Sequence, residues 1–276
     1  MERVIRAGKT PPHSCGKKGI PLSHAPLLVR FPKTPEENRK KNRGMAEITT
    51  SDAFGVAMGK CIKRYAIRKI LEIGAFDGDG STQVLAQALT PKKGEKILVS
   101  LEEKPERFQN LFKNTAGYPF VRSVQVSSLG WDSFSARDFE KDVWGSSFNG
   151  LRYPKEQVAG WHAADMARIQ QLSRGFLEDS TEQWDAVLID GGEFFGWDEF
   201  RLLRSRSRCF FLDDAFHAFK TFRVRVELSQ DPDWRVVWAD SRIRNGAAIF
   251  VHRTLPREGG FLSMFSFLRK MLERNS

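Results

Sequence analysis

Short apolar runs alternate with amphipathic stretches from about Lys69 to Arg253, and this alternation constrains the fold more than any other feature of the chain. KILEIG (69–74), KILVSLE (96–102), FVRSVQVS (120–127), DAVLID (185–190) and CFFLDD (209–214) read as buried strands. Residues 81–89, 105–114, 197–204 and 219–228 read as the helices between them, and a further helix begins near Thr50 with Ser51 or Asp52 as its cap. Strands joined through helices of this length must run parallel. The pattern therefore predicts an α/β fold, a Rossmann-like doubly wound sheet. Its end differs: WRVVWAD (234–240) and AAIFVHR (247–253) flank a connection that finishes in Asn245-Gly246, a hairpin signal. The sheet should be mostly parallel with a C-terminal antiparallel hairpin.

The remaining segments set the expected domain plan. Residues 1–45 mix Pro, Gly, Lys and Arg with little apolar periodicity, as in a disordered tail. Residues 1–44 carry eleven Lys/Arg against three acids, so most of the chain's formal charge of +10 lies there. The rest is nearly neutral, which argues against a nucleic-acid partner. Residues 46–253 form one domain, with an insertion at about 129–183 that is too long for a plain connection. Trp131, Trp144, Tyr153 and Trp161 lie in it, so it reads either as an aromatic-lined lid or as a helical excursion with its own small core. Residues 254–276 read as a C-terminal amphipathic helix with Phe261, Met264, Phe265, Leu268, Met271 and Leu272 along one stripe. Such a stripe packs on its own domain, on a second copy in a homodimer, or on a membrane surface. No apolar run is long enough to span a bilayer and no signal peptide is visible, so the expected location is the cytoplasm. Cys15, Cys61 and Cys209 lack metal-ligand spacing and read as reduced thiols.

Chemistry concentrates where strands meet helices. The turn Glu72-Ile-Gly74-Ala75-Phe-Asp-Gly78-Asp-Gly80-Ser81 lies at the carboxyl edge of the first strand, where glycines let a backbone approach a ligand. Its spacing is ExGxxxGxG rather than GxGxxG. The stretch resembles the first motif of class I S-adenosylmethionine-dependent methyltransferases, in particular the catechol O-methyltransferase type. The segment from Asp185 to Leu228 also resembles bacterial methyltransferases of polysaccharide and secondary-metabolite synthesis. The resemblance spans about residues 71–251.

It implies S-adenosylmethionine as cofactor, with Gly74, Ala75, Gly78 and Ser81 lining the methionine part and Glu72 supporting the loop. Glu102 at the end of the second strand takes the ribose hydroxyls. Ser128 approaches the adenine, and Asp190 closes the site. Asp190, Asp213 and Asp214 end adjacent strands, where mutual repulsion needs a compensating cation. The resemblance assigns them to magnesium, which prefers oxygen ligands. In the catechol type a lysine follows the first metal acid by three residues, but here that position is Glu193. Base candidates are therefore His217, Glu193 and Lys220. The acceptor would be a hydroxyl of a small molecule or glycan. A non-methylating cofactor-binding protein and a nicotinamide-dependent oxidoreductase stay open as alternatives on the same fold.

Overall fold

The computed structural model describes residues 48–135, 153–216 and 219–259. The expected tail at 1–45, residues 136–152 of the insertion, His217 and most of the expected C-terminal helix lie outside the described residues. Among those described, β1 (Lys69–Ile73), β2 (Ile97–Glu102), β3 (Val121–Gln125), β4 (Ala186–Ile189), β5 (Cys209–Leu212), β6 (Trp234–Asp240) and β7 (Ala247–His252) form one sheet in the order β3-β2-β1-β4-β5-β7-β6. The pairs from β3 to β5 are parallel; β7 runs antiparallel to both β5 and β6. This is the mostly parallel doubly wound sheet with a reversed hairpin that the alternation predicts.

Successive residues of a strand face opposite sides, so each buried strand feeds two cores. Ile70, Leu98, Leu188, Phe211 and Ile249 face α1 (Ala53–Arg64) and α2 (Ser81–Leu89), which contribute Phe54, Met58, Ile62, Val84, Leu85 and Leu89. Leu71, Val99, Val187, Phe210 and Phe250 face the other side. There they meet Val158 and Ile169 of α4 (Lys155–Ile169), Phe200 and Leu203 of α6 (Gly196–Leu203), and Val224 and Leu228 of α7 (Phe222–Gln230). Between these, α3 (Pro105–Thr115) and the single turn α5 (Phe176–Asp179) complete the helices named here. Asp52 caps α1 by accepting from the N–H groups of Phe54 and Gly55 at 3.0 and 3.1 Å, a cap that contributes about 1 kcal/mol. No helix among the described residues is long and apolar enough to cross a membrane.

Two boundaries differ from the sequence expectation. α7 begins at Phe222 and not near residue 219, because Lys220 takes a left-handed φ of 58° that a right-handed helix cannot contain. β3 stops at Gln125. Beyond it the carbonyls of Ser127 and Ser128 turn to accept from the N–H groups of Phe176 and Leu177.

Candidate active site

The strand order reverses between β1 and β4, so the turns after these two strands open a crevice at the carboxyl edge of the sheet. Glu72, fully buried one residue before the end of β1, organises one side of it. Its carboxylate accepts from the hydroxyls of Ser81 at 2.6 Å, Thr82 at 2.8 Å and Ser100 at 2.6 Å. Burial pushes its pKa above the usual glutamate range, and the three hydroxyls act against that rise. One carboxylate thus ties β1 to β2 and to the N-terminus of α2. The far end of the loop is held by Gln83, which donates to the Gly78 carbonyl at 3.0 Å, and by Asn114, which donates to the Asp77 carbonyl at 2.8 Å.

Within that loop the glycines meet protein at close range. Gly74 has φ +85°, and a Cβ there would stand 2.2 Å from the Asp190 carbonyl oxygen. Gly78 has φ +75°, and a Cβ would meet Leu111 at 2.6 Å. The sequence reading gave both glycines to ligand approach. The structure shows that each also meets protein, Gly74 against the backbone of the turn after β4 and Gly78 against Leu111 of α3. Ala75 is buried and donates its N–H to the Leu101 carbonyl at 3.0 Å. The Ser81 hydroxyl is engaged by Glu72.

Glu102 closes β2 at the same edge. Its Oε1 accepts the Lys104 N–H at 2.9 Å; burial raises its pKa, and the backbone N–H groups of Lys104 and Phe76 oppose the rise. A buried carboxylate held away from water is stabilised further by hydroxyl donors, which is the chemistry of a ribose diol. Ser128 is also buried, but its hydroxyl donates to Glu199 Oε1. Glu199 has no exposure, its Oε2 has no hydrogen-bond partner, and burial pushes its pKa up to about 7 against the Ser128 bond. Sequence reading missed Glu199. The visible signal was two adjacent acids, Asp198 and Glu199, at positions where a short amphipathic helix turns toward the core.

The turns after β4 and β5 gather the carboxylates. Lys220 donates to Asp190 Oδ1 at 2.7 Å and to Asp214 Oδ2 at 2.8 Å. Arg244 donates to Asp213 Oδ1 at 2.8 Å and, through its other nitrogen, to Asp52 Oδ1 at 2.9 Å. Two of the three acids share Lys220 and the third takes Arg244, so the cations that meet them belong to the chain. Among the described residues no three His, Cys, Asp or Glu side chains are grouped so as to hold a metal ion. The expected magnesium site does not fit this arrangement, because an ammonium stands between two of its three proposed ligands. Burial raises the Asp190 carboxyl to about 8 even against Lys220. At Asp214 burial acts upward, but Lys220, Asn245 and Arg244 together bring the pKa below the usual aspartate range.

Lys220 was also a candidate base. Its buried ammonium is held well above the ordinary lysine pKa by Asp190 and Asp214, despite desolvation, so it is a cation here and no proton acceptor. Glu193 lies in the turn after β4, and its carbonyl accepts the Lys220 N–H at 2.8 Å.

Part of the insertion lies over this edge. Arg168 of α4 pairs with Glu103 beyond β2 and with Asp165 at 3.0 Å, and stacks on Phe195 at 5.2 Å. Asp165 is raised to about 7 by burial and by the charge of Glu193. Trp161 meets Tyr153 and Phe219 edge-on at 5.0 and 6.4 Å, and His162 meets Phe194 at 5.1 Å. The described part of the insertion therefore shares the main core, and its Trp161 reaches Phe219, the residue before Lys220.

No family model matches the sequence, and no curated protein matches it. Solved structures similar to it include an O-methyltransferase from Bacillus cereus in complex with S-adenosylhomocysteine. That one is 16% identical over 81% of this chain and 93% of that one, with a TM-score of 0.48. An O-methyltransferase from Streptomyces achromogenes, in complex with S-adenosylmethionine, is 17% identical over 82% and 92%, with a TM-score of 0.47. A methyltransferase from Podospora anserina bound to S-adenosylhomocysteine is 14% identical over 80% and 88%, with a TM-score of 0.45. The fold is a Rossmann-like doubly wound sheet closed by an antiparallel hairpin. It stands on this chain's own strand order and on its reversed seventh strand.

Proposed function

We propose that this protein transfers the methyl group of S-adenosylmethionine to a hydroxyl oxygen of a small molecule or glycan. One observation carries the reading: a glycine loop anchored by Glu72 and the buried carboxylate of Glu102 stand on the same edge, beside the point where the strand order reverses. Polar groups converging there suit a nucleoside with a charged tail. The reversed hairpin favours a methyl donor over a nicotinamide cofactor.

When bound, S-adenosylmethionine supplies an electrophilic methyl carbon on a sulfonium sulfur. Glu102 accepts hydrogen bonds from the ribose hydroxyls. The loop from Gly74 to Gly80 lines the methionine part, kept in shape by Glu72 beneath it. Ser128 borders the adenine and is held by Glu199. The acceptor enters on the β4 and β5 side, between the Asp190–Lys220–Asp214 ion pairs and the aromatic residues Trp161, Phe194 and Phe219. Its hydroxyl would have to give up its proton for the oxygen to accept a methyl group. Glu193, in the turn after β4, and Asp165, whose pKa is raised to about 7, are the carboxylates proposed to receive it, and His217 stays a candidate outside the described residues. Holding reactants in line and excluding water are the main contributions such a site makes. Incubation with methyl-labelled cofactor and a panel of sugar and phenol acceptors tests the reading. Label should pass to a hydroxyl-bearing acceptor; no transfer to any acceptor, with no binding of the demethylated cofactor, overturns it.

A further inference from the structure

We infer that Lys220 is a built-in monovalent cation that takes the place of a divalent metal at the carboxyl edge, so that this protein holds no catalytic magnesium. Two acids that follow neighbouring parallel strands each present a carboxylate oxygen to one point, and the Lys220 ammonium sits there, donating to them at 2.7 and 2.8 Å. Magnesium would need oxygens at about 2.0–2.1 Å in near-octahedral array. The observed spacing is that of charge-assisted hydrogen bonds. The third acid, Asp213, is turned to Arg244 at 2.8 Å, away from the shared point.

The backbone is shaped to put the ammonium there. Lys220 has φ +58° and Asp214 has φ +53°, both in the left-handed region that non-glycine residues avoid. Both ends of one ion pair are thus strained, a cost that persists only where the surroundings impose it. Those surroundings are visible. The Lys220 N–H is fixed on the Glu193 carbonyl at 2.8 Å, and its own carbonyl passes so close to Gly196 that a Cβ there would stand at 2.5 Å. Glycine opens α6 at the position where any side chain would dislodge the lysine. Lys220 itself is 8% exposed, so it is part of the floor of the edge and not a surface lysine resting on it.

Manganese(II), which replaces magnesium and is visible by electron paramagnetic resonance, tests this without any methyl donor, so the result is independent of whether the methyl-transfer reading holds. The purified full-length chain should leave the free manganese signal unchanged. Lys220→Ala and Lys220→Met expose Asp190 and Asp214 uncompensated, and each should remove one equivalent of manganese from the free signal, with circular dichroism confirming the fold. Lys220→Arg keeps a cation and should stay silent. Stoichiometric manganese binding by the unaltered protein that Asp190→Asn abolishes overturns the inference, as do folded Ala and Met variants that bind none. Silence of the unaltered protein supports it even if both of these variants fail to fold.

Discussion

Glu199→Gln should flatten the dependence of stability on pH. Glu199 has no exposure, one oxygen on the Ser128 hydroxyl and the other without a partner, and its pKa is displaced from 4.5 to about 7 chiefly by desolvation. A carboxyl whose folded pKa is raised keeps a proton that the unfolded chain has already lost. Stability therefore falls as pH rises from about 4.5 to about 7, and the loss is complete above that window. At about 1.4 kcal/mol per pH unit, the displacement amounts to about 3 kcal/mol. Glutamine retains the carbonyl that accepts from Ser128 and cannot ionise, but it places an amide N–H where the unpartnered oxygen stood, costing about 1 kcal/mol at every pH. Urea unfolding at pH 5 and pH 8 gives the two free energies. The difference between them should shrink by about 2.5 kcal/mol in the variant, since part of the window lies below pH 5. Asp165 and Asp190 titrate in the same range, but their contribution is common to both proteins. Parallel stability profiles for the two proteins would refute the buried-carboxyl argument.

Glu72→Ala leaves three buried hydroxyls without an acceptor and should cost about 3 kcal/mol in chemical denaturation; a loss under about 1 kcal/mol would show that the loop does not hang on this carboxylate. Gly74→Val drives a Cβ to 2.2 Å from the Asp190 carbonyl at a φ of +85°, and should lower stability by more than about 3 kcal/mol before any ligand is added. A thermal melt unchanged from the parent would contradict that geometry.

The sheet was legible because each strand carries its own apolar run and each crossover its own amphipathic helix; these are local signals. The glycine loop and Glu102 were legible for the same reason, since their places follow from the ends of β1 and β2. What decides the chemistry at the far side of the edge is not local. Asp190, Asp213 and Asp214 could be foreseen at the ends of neighbouring strands, but the lysine that meets Asp190 and Asp214 arrives from 30 residues beyond Asp190, after a left-handed bend that composition does not announce. Three carboxylates at adjacent strand ends call for a compensating cation, so a reading by spacing turned to a metal where the fold supplies an ammonium. Arg244 reaches Asp213 and Asp52 from the hairpin connection, and Ser128 reaches Glu199 across 71 residues of chain. Such pairs are set by tertiary packing, and only coordinates reveal them.

The central claim, a site for S-adenosylmethionine at the carboxyl edge, is tested most directly by calorimetric titration with S-adenosylhomocysteine, with NADH as the comparison ligand. The account predicts that S-adenosylhomocysteine binds, that NADH does not, and that Glu102→Ala weakens the binding by about 1–3 kcal/mol through loss of hydrogen bonds to a charged group. Binding of NADH without binding of S-adenosylhomocysteine, or an affinity for S-adenosylhomocysteine that a folded Glu102→Ala protein retains in full, would contradict it.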